Sequence, residues 1–119
     1  MKMNLLLCPV NDLDAAVAFY RDALGWPVKF RDGDRYCAID AGGFVLGLAA
    51  REERIVAEPA PALRVDDIEQ SLAAMMTAGA SVIRPLEQGP HEARVVLRAP
   101  GGGTLVLSAK RLETGNSRP

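Results

Sequence analysis

What this chain lacks narrows its function first. It has two cysteines, Cys8 and Cys37, too few for a disulfide framework. It shows no signal peptide, so the cytoplasm is the expected compartment, with both thiols reduced. It has no apolar run near the roughly 18 residues a membrane helix needs, so no membrane association is expected. The segment LLLC (5–8) lacks the long apolar region and the small neighbour of a lipoprotein signal; it reads as a buried strand. Neither sign of charge dominates, with a net charge of −1. No basic stripe argues for nucleic acid and no acidic block for an interaction tail. A single histidine, His91, is present. There is no Ser-His-Asp arrangement, no phosphate loop and no dinucleotide fingerprint. Gly101-Gly102-Gly103 is read as a hairpin turn, because a strand rather than a helix comes after it. Neither cysteine has a base beside it in sequence, which gives little support to a thiol nucleophile.

What is present is an ordinary globular chain. Apolar residues make up 49% and charged residues 24% of the sequence. A length of 119 residues is one domain (1–119), large enough to bury a core. Residues 3–10 form a short apolar run, read as a strand. Leu13, Val17, Tyr20 and Leu24 then share one helical face. Asp12 is the expected N-cap, and Asp14 suits the positive end of the helix dipole. Gly25 and Pro27 stop the helix. Strands come next at 28–32, 35–40 and 44–50, with turns at Asp32-Gly33-Asp34 and Gly42-Gly43. A charged linker, 51–61, is expected to be extended because of its prolines.

The second half repeats the order. Residues 62–65 form a strand, and Asp67 caps a helix with Gln70 at the capping-box position. Ile68, Leu72 and Met75 line that helix, and Gly79 ends it. Strands are expected at 81–86, 93–98 and 104–109, and the tail 111–119 is expected to fray. Val10, Asp12, Leu13 and Val17 match Val65, Asp67, Ile68 and Leu72 at one common offset. Module one is therefore 1–50 and module two 62–110. Neither module could easily bury its sheet alone, so the pair is expected to share a core and leave a concavity.

The stretch V-N-D-L-D-A-A-V-A-F-Y-R-D-A-L-G-W resembles the first-module signature of the vicinal oxygen chelate superfamily, the glyoxalase/bleomycin-resistance/dioxygenase fold. A-P-G-G-G-T-L-V-L resembles that family's closing turn and strand, D-P-x-G-x-x-x-E-L. The resemblance reaches to about residue 110. It implies an α+β fold in which two β-α-β-β-β modules form a cupped, incomplete barrel around a cleft. It also implies a metal held by a His five residues before the Val of each V-x-D motif and by an acid on the last strand of each module. This chain places Leu5, Ala60, Gly47 and Val106 at those positions. None has a side-chain lone pair to donate to a divalent ion, so no metal and no other cofactor is expected.

Alternation along the strands divides the remaining residues. One face carries Leu5, Leu7, Val45, Gly47, Ala49, Ala60, Ala62, Arg64, Thr104, Val106 and Ser108. The other carries Leu6, Cys8, Val10, Phe44, Leu46, Leu48, Leu63, Val65, Leu105 and Leu107, a set large and apolar enough to lie under helices. Strand 35–40 leaves Cys37 open to either face. The candidate ligand wall is therefore Leu5, Leu7, Gly47, Ala49, Ala60, Ala62, Arg64 and Val106, a mostly apolar surface with few polar handles. Arg64 could clamp an anionic group, or pair with a carboxylate such as Glu58. Trp26 and Tyr36 could stack on a flat ligand, although Trp26 suits core or dimer packing as well. His91 stands in a loop that could lip the cleft.

Three functions remain open. The leading one is a metal-independent small-molecule-binding protein that sequesters an aromatic or hydrophobic metabolite or antibiotic. It would act as a homodimer, as the bleomycin-resistance branch of the resembling family does. The second is a metal-independent lyase, isomerase or hydrolase, with Arg64 as electrophilic clamp and His91, Glu87 or Tyr36 as proton shuttle. The third is a structural or regulatory module whose cleft is vestigial.

Overall fold

The computed structural model describes residues 1–111; apart from Arg111, the tail expected to fray lies outside them. The elements are β1 (Lys2–Pro9), α1 (Leu13–Ala18), a π-helical turn (Phe19–Ala23), β2 (Val28–Asp32), β3 (Tyr36–Asp40) and β4 (Val45–Ala49). After a 3-10 turn (Arg51–Glu53) come β5 (Ala60–Arg64), α2 (Ile68–Thr77), β6 (Ser81–Gln88), β7 (Glu92–Arg98) and β8 (Thr104–Lys110). This is the expected mixed α+β architecture, with β-α-β-β-β written twice. The chain divides into two compact units, Met3–Ala62 and Leu63 onward with Met1–Lys2.

In the first unit the strand order is β2-β3-β4-β1. β1 runs parallel to β4, with Leu6 opposite Leu46 and Cys8 opposite Leu48. β3 pairs antiparallel with both β2 and β4. The Asp12 carboxylate accepts from the Ala15 amide at 3.0 Å, which satisfies one of the free donors of the first helical turn. Leu13 and Val17 are then fully buried against Cys8, Cys37, Ile39, Leu46 and Leu48. Cys37 therefore belongs to the helix-covered face, the question its strand left open.

Two expectations fail locally in this unit. Leu24 does not continue the buried face of Leu13, Val17 and Tyr20; it is 46% exposed. The helix widens into a π turn after Ala18, and the extra residue per turn rotates the residues beyond it away from the core. Phe44 is exposed rather than packed under the helix. It precedes β4, and its carbonyl accepts from the Ala41 amide across the Gly42-Gly43 turn, where φ is 80° and 94°.

In the second unit, which opens with the last residues of β5, the order is β8-β7-β6. Val65, Ile68, Ala93, Val95, Leu97, Leu107 and Ala109 form its core, with Leu63, Leu72, Met75 and Leu86 packed against it. Leu105, expected on the same face, is only half-buried and lies outside that core. Asp67 accepts from the Gln70 amide at 3.1 Å. The two units repeat hydrogen bond for hydrogen bond at this point. Val10 N–H donates to the Ala49 carbonyl and Val65 N–H to the Ser108 carbonyl, both at 2.9 Å. β2 and β6 end the strand order, each paired on one side only.

The segment 51–61 is less extended than its prolines suggest. Arg51–Glu53 curls into a 3-10 turn, Ile55 and Val56 are buried, and β5 starts at Ala60 rather than at 62. Arg51 holds a left-handed φ of 51° and pairs with Asp34 at 2.6 Å. Among the described residues, no helix is long and apolar enough to cross a membrane.

Two substitutions separate capping from core packing. Asp67→Ala should cost about 1 kcal/mol through loss of the cap. Ile68→Ala, next along the chain but 1% exposed, should cost about 2–5 kcal/mol through the cavity it leaves. Urea unfolding midpoints read both, and equal costs would sink the distinction between cap and core.

Candidate functional site

Each sheet has one helix-covered face. The other face is where the expected ligand wall falls, and its two halves differ in chemistry.

In the first unit this face is apolar and aromatic. The register aligns Tyr36 with Ala49, Ala38 with Gly47, and Phe30 with Ala38, so all share it. The Tyr36 ring lies directly over Gly47. A Cβ at Gly47 would stand 2.8 Å from the Tyr36 Oη, 3.2 Å from its Cε1 and 3.1 Å from Leu5 Cδ1. Only glycine leaves room for that ring. Phe30 flanks Tyr36 with ring centroids 6.4 Å apart and planes tilted by 46°, and Phe30 is half exposed. Sequence reasoning missed Phe30, although alternation along 28–32 carries the signal. Leu7 and Ala49 are buried on the same face.

In the second unit the corresponding face is polar at one end. Arg94 stands opposite Glu87 on β6 and opposite Ser108 on β8. It is 5% exposed, although it carries a permanent charge. Arg94 Nε donates to Glu87 Oε2 at 3.0 Å, and Arg84 Nε donates to the same oxygen at 3.0 Å. A buried charge survives only when paired in this way. Gly89 allows it, since a Cβ there would stand 2.7 Å from Arg94 Nη1. Burial pushes the Glu87 carboxyl up, but hydrogen bonds and charge from the two guanidiniums outweigh it and hold it below the ordinary range. Neither Arg84 nor Arg94 was singled out from the sequence; the alternation of β7 places Arg94 on this face, but nothing local shows it is buried.

Arg64 pairs with Glu92 at 3.4 Å rather than with Glu58, and both side chains are partly exposed. Glu92 opens β7 directly after His91, so this ion pair ties Arg64 to the turn that carries the exposed histidine. Ala60, Ala62 and Val106 are buried. Trp26 is not brought to the Tyr36 face. It packs against the helix-covered core and stacks on Tyr20 at 5.9 Å with planes 2° apart. Burial pushes the Cys8 and Cys37 thiols up, which disfavours the reactive thiolate.

The donor set does not fit the metal of the resembling family. Leu5 and Gly47 lie against the Tyr36 ring, and Val106 and Ala60 are buried hydrocarbon. No group of three or more His, Cys, Asp or Glu among the described residues could hold a metal ion.

Two outcomes are expected. Gly47→Ala should destabilise by about 1–3 kcal/mol by forcing the Tyr36 ring off its seat. Tyr36→Phe in the same chain should restore part of the loss, because the hydroxyl is the nearest atom; a double-mutant cycle in urea checks this. The folded pKa of Glu87 is depressed, so its pairing stabilises above the unfolded value and is lost as pH falls through the folded one. Glu87→Gln should therefore lower stability at neutral pH and flatten its decline with acid. An unchanged pH profile would show that the two arginines gain nothing from this carboxylate.

Comparison with known proteins agrees with this architecture. A curated protein of Mycolicibacterium smegmatis, described as uncharacterized, is 26% identical over 107 residues, covering 89% of this chain and 91% of its own. A glyoxalase/bleomycin resistance protein/dioxygenase superfamily member from Vibrio splendidus superposes with a TM-score of 0.67 at 18% identity, covering 89% of this chain and 97% of that one. Methylmalonyl-CoA epimerase from Mycobacterium tuberculosis gives the same score and identity, with 93% and 89% covered. At such identity the two structures report the fold alone. The family model of the Glyoxalase/Bleomycin resistance protein/Dioxygenase superfamily matches residues 2–107, nearly the whole described chain, and the protein belongs to that superfamily.

Proposed function

We propose that this protein binds a flat aromatic or hydrophobic small molecule, a metabolite or an antibiotic, without a metal. One observation carries the reading. Where the family's pattern calls for a metal-ligating acid, this chain has Gly47, and the Tyr36 ring fills the space above it. An acid there would have to displace the ring. The exchange trades a metal ligand for an aromatic surface flanked by Phe30 and Leu5, and aromatic faces recognise flat ligands by offset stacking. The protein would act as a homodimer. The edge strand β2 carries Val28 and Phe30 at 40% and 50% exposure, and Phe19, Leu24 and Phe44 are exposed on the same unit. Exposed apolar surface beside an unpaired strand edge favours self-association.

A second reading, a metal-independent lyase, isomerase or hydrolase, is favoured by a different observation. The Arg64–Glu92 pair holds a guanidinium beside the turn that bears His91. An epimerase among the similar folds shows only that this architecture can host an isomerase.

Native mass spectrometry of protein purified without chelators separates these readings. The expected spectrum is a metal-free dimer carrying an adduct of a few hundred daltons, the size an ordinary pocket encloses. Tyr36→Ala should then lose that adduct while the dimer persists. A stoichiometric metal would overturn the reading of Leu5, Gly47, Ala60 and Val106. Turnover of a substrate that is lost in Arg64→Gln or His91→Asn would favour the enzyme.

A further inference from the structure

The Arg84–Glu87–Arg94 cluster contains more than a buried ion pair needs. Arg94 is 6% exposed at its side chain and is held by Glu87 from within the sheet. Arg84 shares the same carboxylate oxygen, but 43% of its side chain is exposed. Glu87 is one negative charge shared by two permanent positive ones. Arg84 uses only its Nε; among the described residues its two Nη groups meet no partner. The Nε bond to Glu87 restrains the guanidinium and leaves the end-on edge formed by its two Nη groups for another acceptor.

The strand makes this arrangement possible. β6 slips register against β7 between Val82 and Arg84, and again between Arg84 and Glu87. The second slip includes Pro85, which has no amide to lose from the ladder. It brings Arg84 and Glu87, three residues apart, onto one face, opposite Val96 and Arg94 respectively. In a regular strand, residues three apart face opposite ways. The bulge therefore lets one carboxylate orient an arginine on its own strand and one on the next.

We propose that Arg84 is an anion-recognition residue, positioned by Glu87 and Arg94, that binds the carboxylate or phosphate group of a small ligand end-on through its two Nη groups. A planar fork with a locked orientation suits such groups better than a mobile ammonium. Exposed Val82 and Ile83 precede Arg84 on β6, so an aryl carboxylate or a phosphate ester with an apolar body fits the neighbourhood. The site lies within the second unit and stands whether or not the Tyr36 face of the first unit holds a ligand.

The test titrates the full chain with sodium benzoate and, separately, with inorganic phosphate at matched ionic strength. The readouts in isotope-labelled protein are the Nε–Hε side-chain NMR signal of Arg84 and, for variants that lack this arginine, the backbone amide signals of β6. A saturable shift is expected with at least one anion, and the tighter of the two names the group. Arg84→Lys keeps the charge and loses the fork, so affinity should fall about tenfold; Arg84→Gln should abolish it. Glu87→Gln separates positioning from attraction. It adds a net positive charge, so general attraction would tighten binding, whereas loss of the orienting carboxylate weakens it. Weaker binding in Glu87→Gln supports the proposal. Tighter binding there, undiminished affinity in Arg84→Gln, or an Arg84 signal that neither anion moves overturns it.

Discussion

A strand shows its side chains to alternate faces, and the strands of each unit here have one helix to cover them. That constraint organises both units. The helix-covered face must be large and apolar, and it is, with Ile39, Leu48, Leu97 and Leu107 fully buried. The opposite face is relieved of that duty. It can carry small residues, a ring seated on a glycine, or charges held in a network. The proposed functional residues all come from that second face or from the turns at its edge.

The two units fill the face that carries no helix differently. In the first, small residues at Ala38, Gly47 and Ala49 let one aromatic ring lie flat on the sheet, as the close approach of Tyr36 to Gly47 shows. In the second, a guanidinium takes the equivalent role. Arg94 is buried because Gly89 leaves room for it and Glu87 pairs with it. Both rely on a glycine that is not needed for backbone conformation, since neither Gly47 nor Gly89 has a positive φ. What glycine supplies at these two positions is the absence of a Cβ. The internal repeat thus kept its hydrogen-bonding scaffold while its uncovered faces diverged in polarity.

The recurrent bonds explain why that divergence is tolerated. The Val10 and Val65 amides, with the Asp12 and Asp67 caps, set where each helix starts relative to its sheet. Side chains on the helix-free face take no part in those bonds. Substitutions there change the chemistry offered to a ligand and leave the helix–sheet packing intact. Leu5, Gly47, Ala60 and Val106, where the family resemblance implies metal donors, contribute nothing to either capping site.

By itself the sequence determined the order of elements, the repeat, the caps and the helix-covered faces. These depend on local chemistry: a carboxylate before an apolar period, a glycine after it, and alternation along short strands. It also determined that Leu5, Gly47, Ala60 and Val106 carry no side-chain donor, which can be read from residue type. Tertiary structure decided the rest. The π turn that turns Leu24 outward arises in the widening of a helix whose apolar spacing looked regular. Arg64 found Glu92 rather than Glu58 because β7 begins there, and partner choice depends on strand register. Arg84, Glu87 and Arg94 became one cluster only through the register slip in β6 between Arg84 and Glu87, which no local pattern announces. Distances across a sheet depend on how strands align, and that alignment is settled by packing over the whole unit.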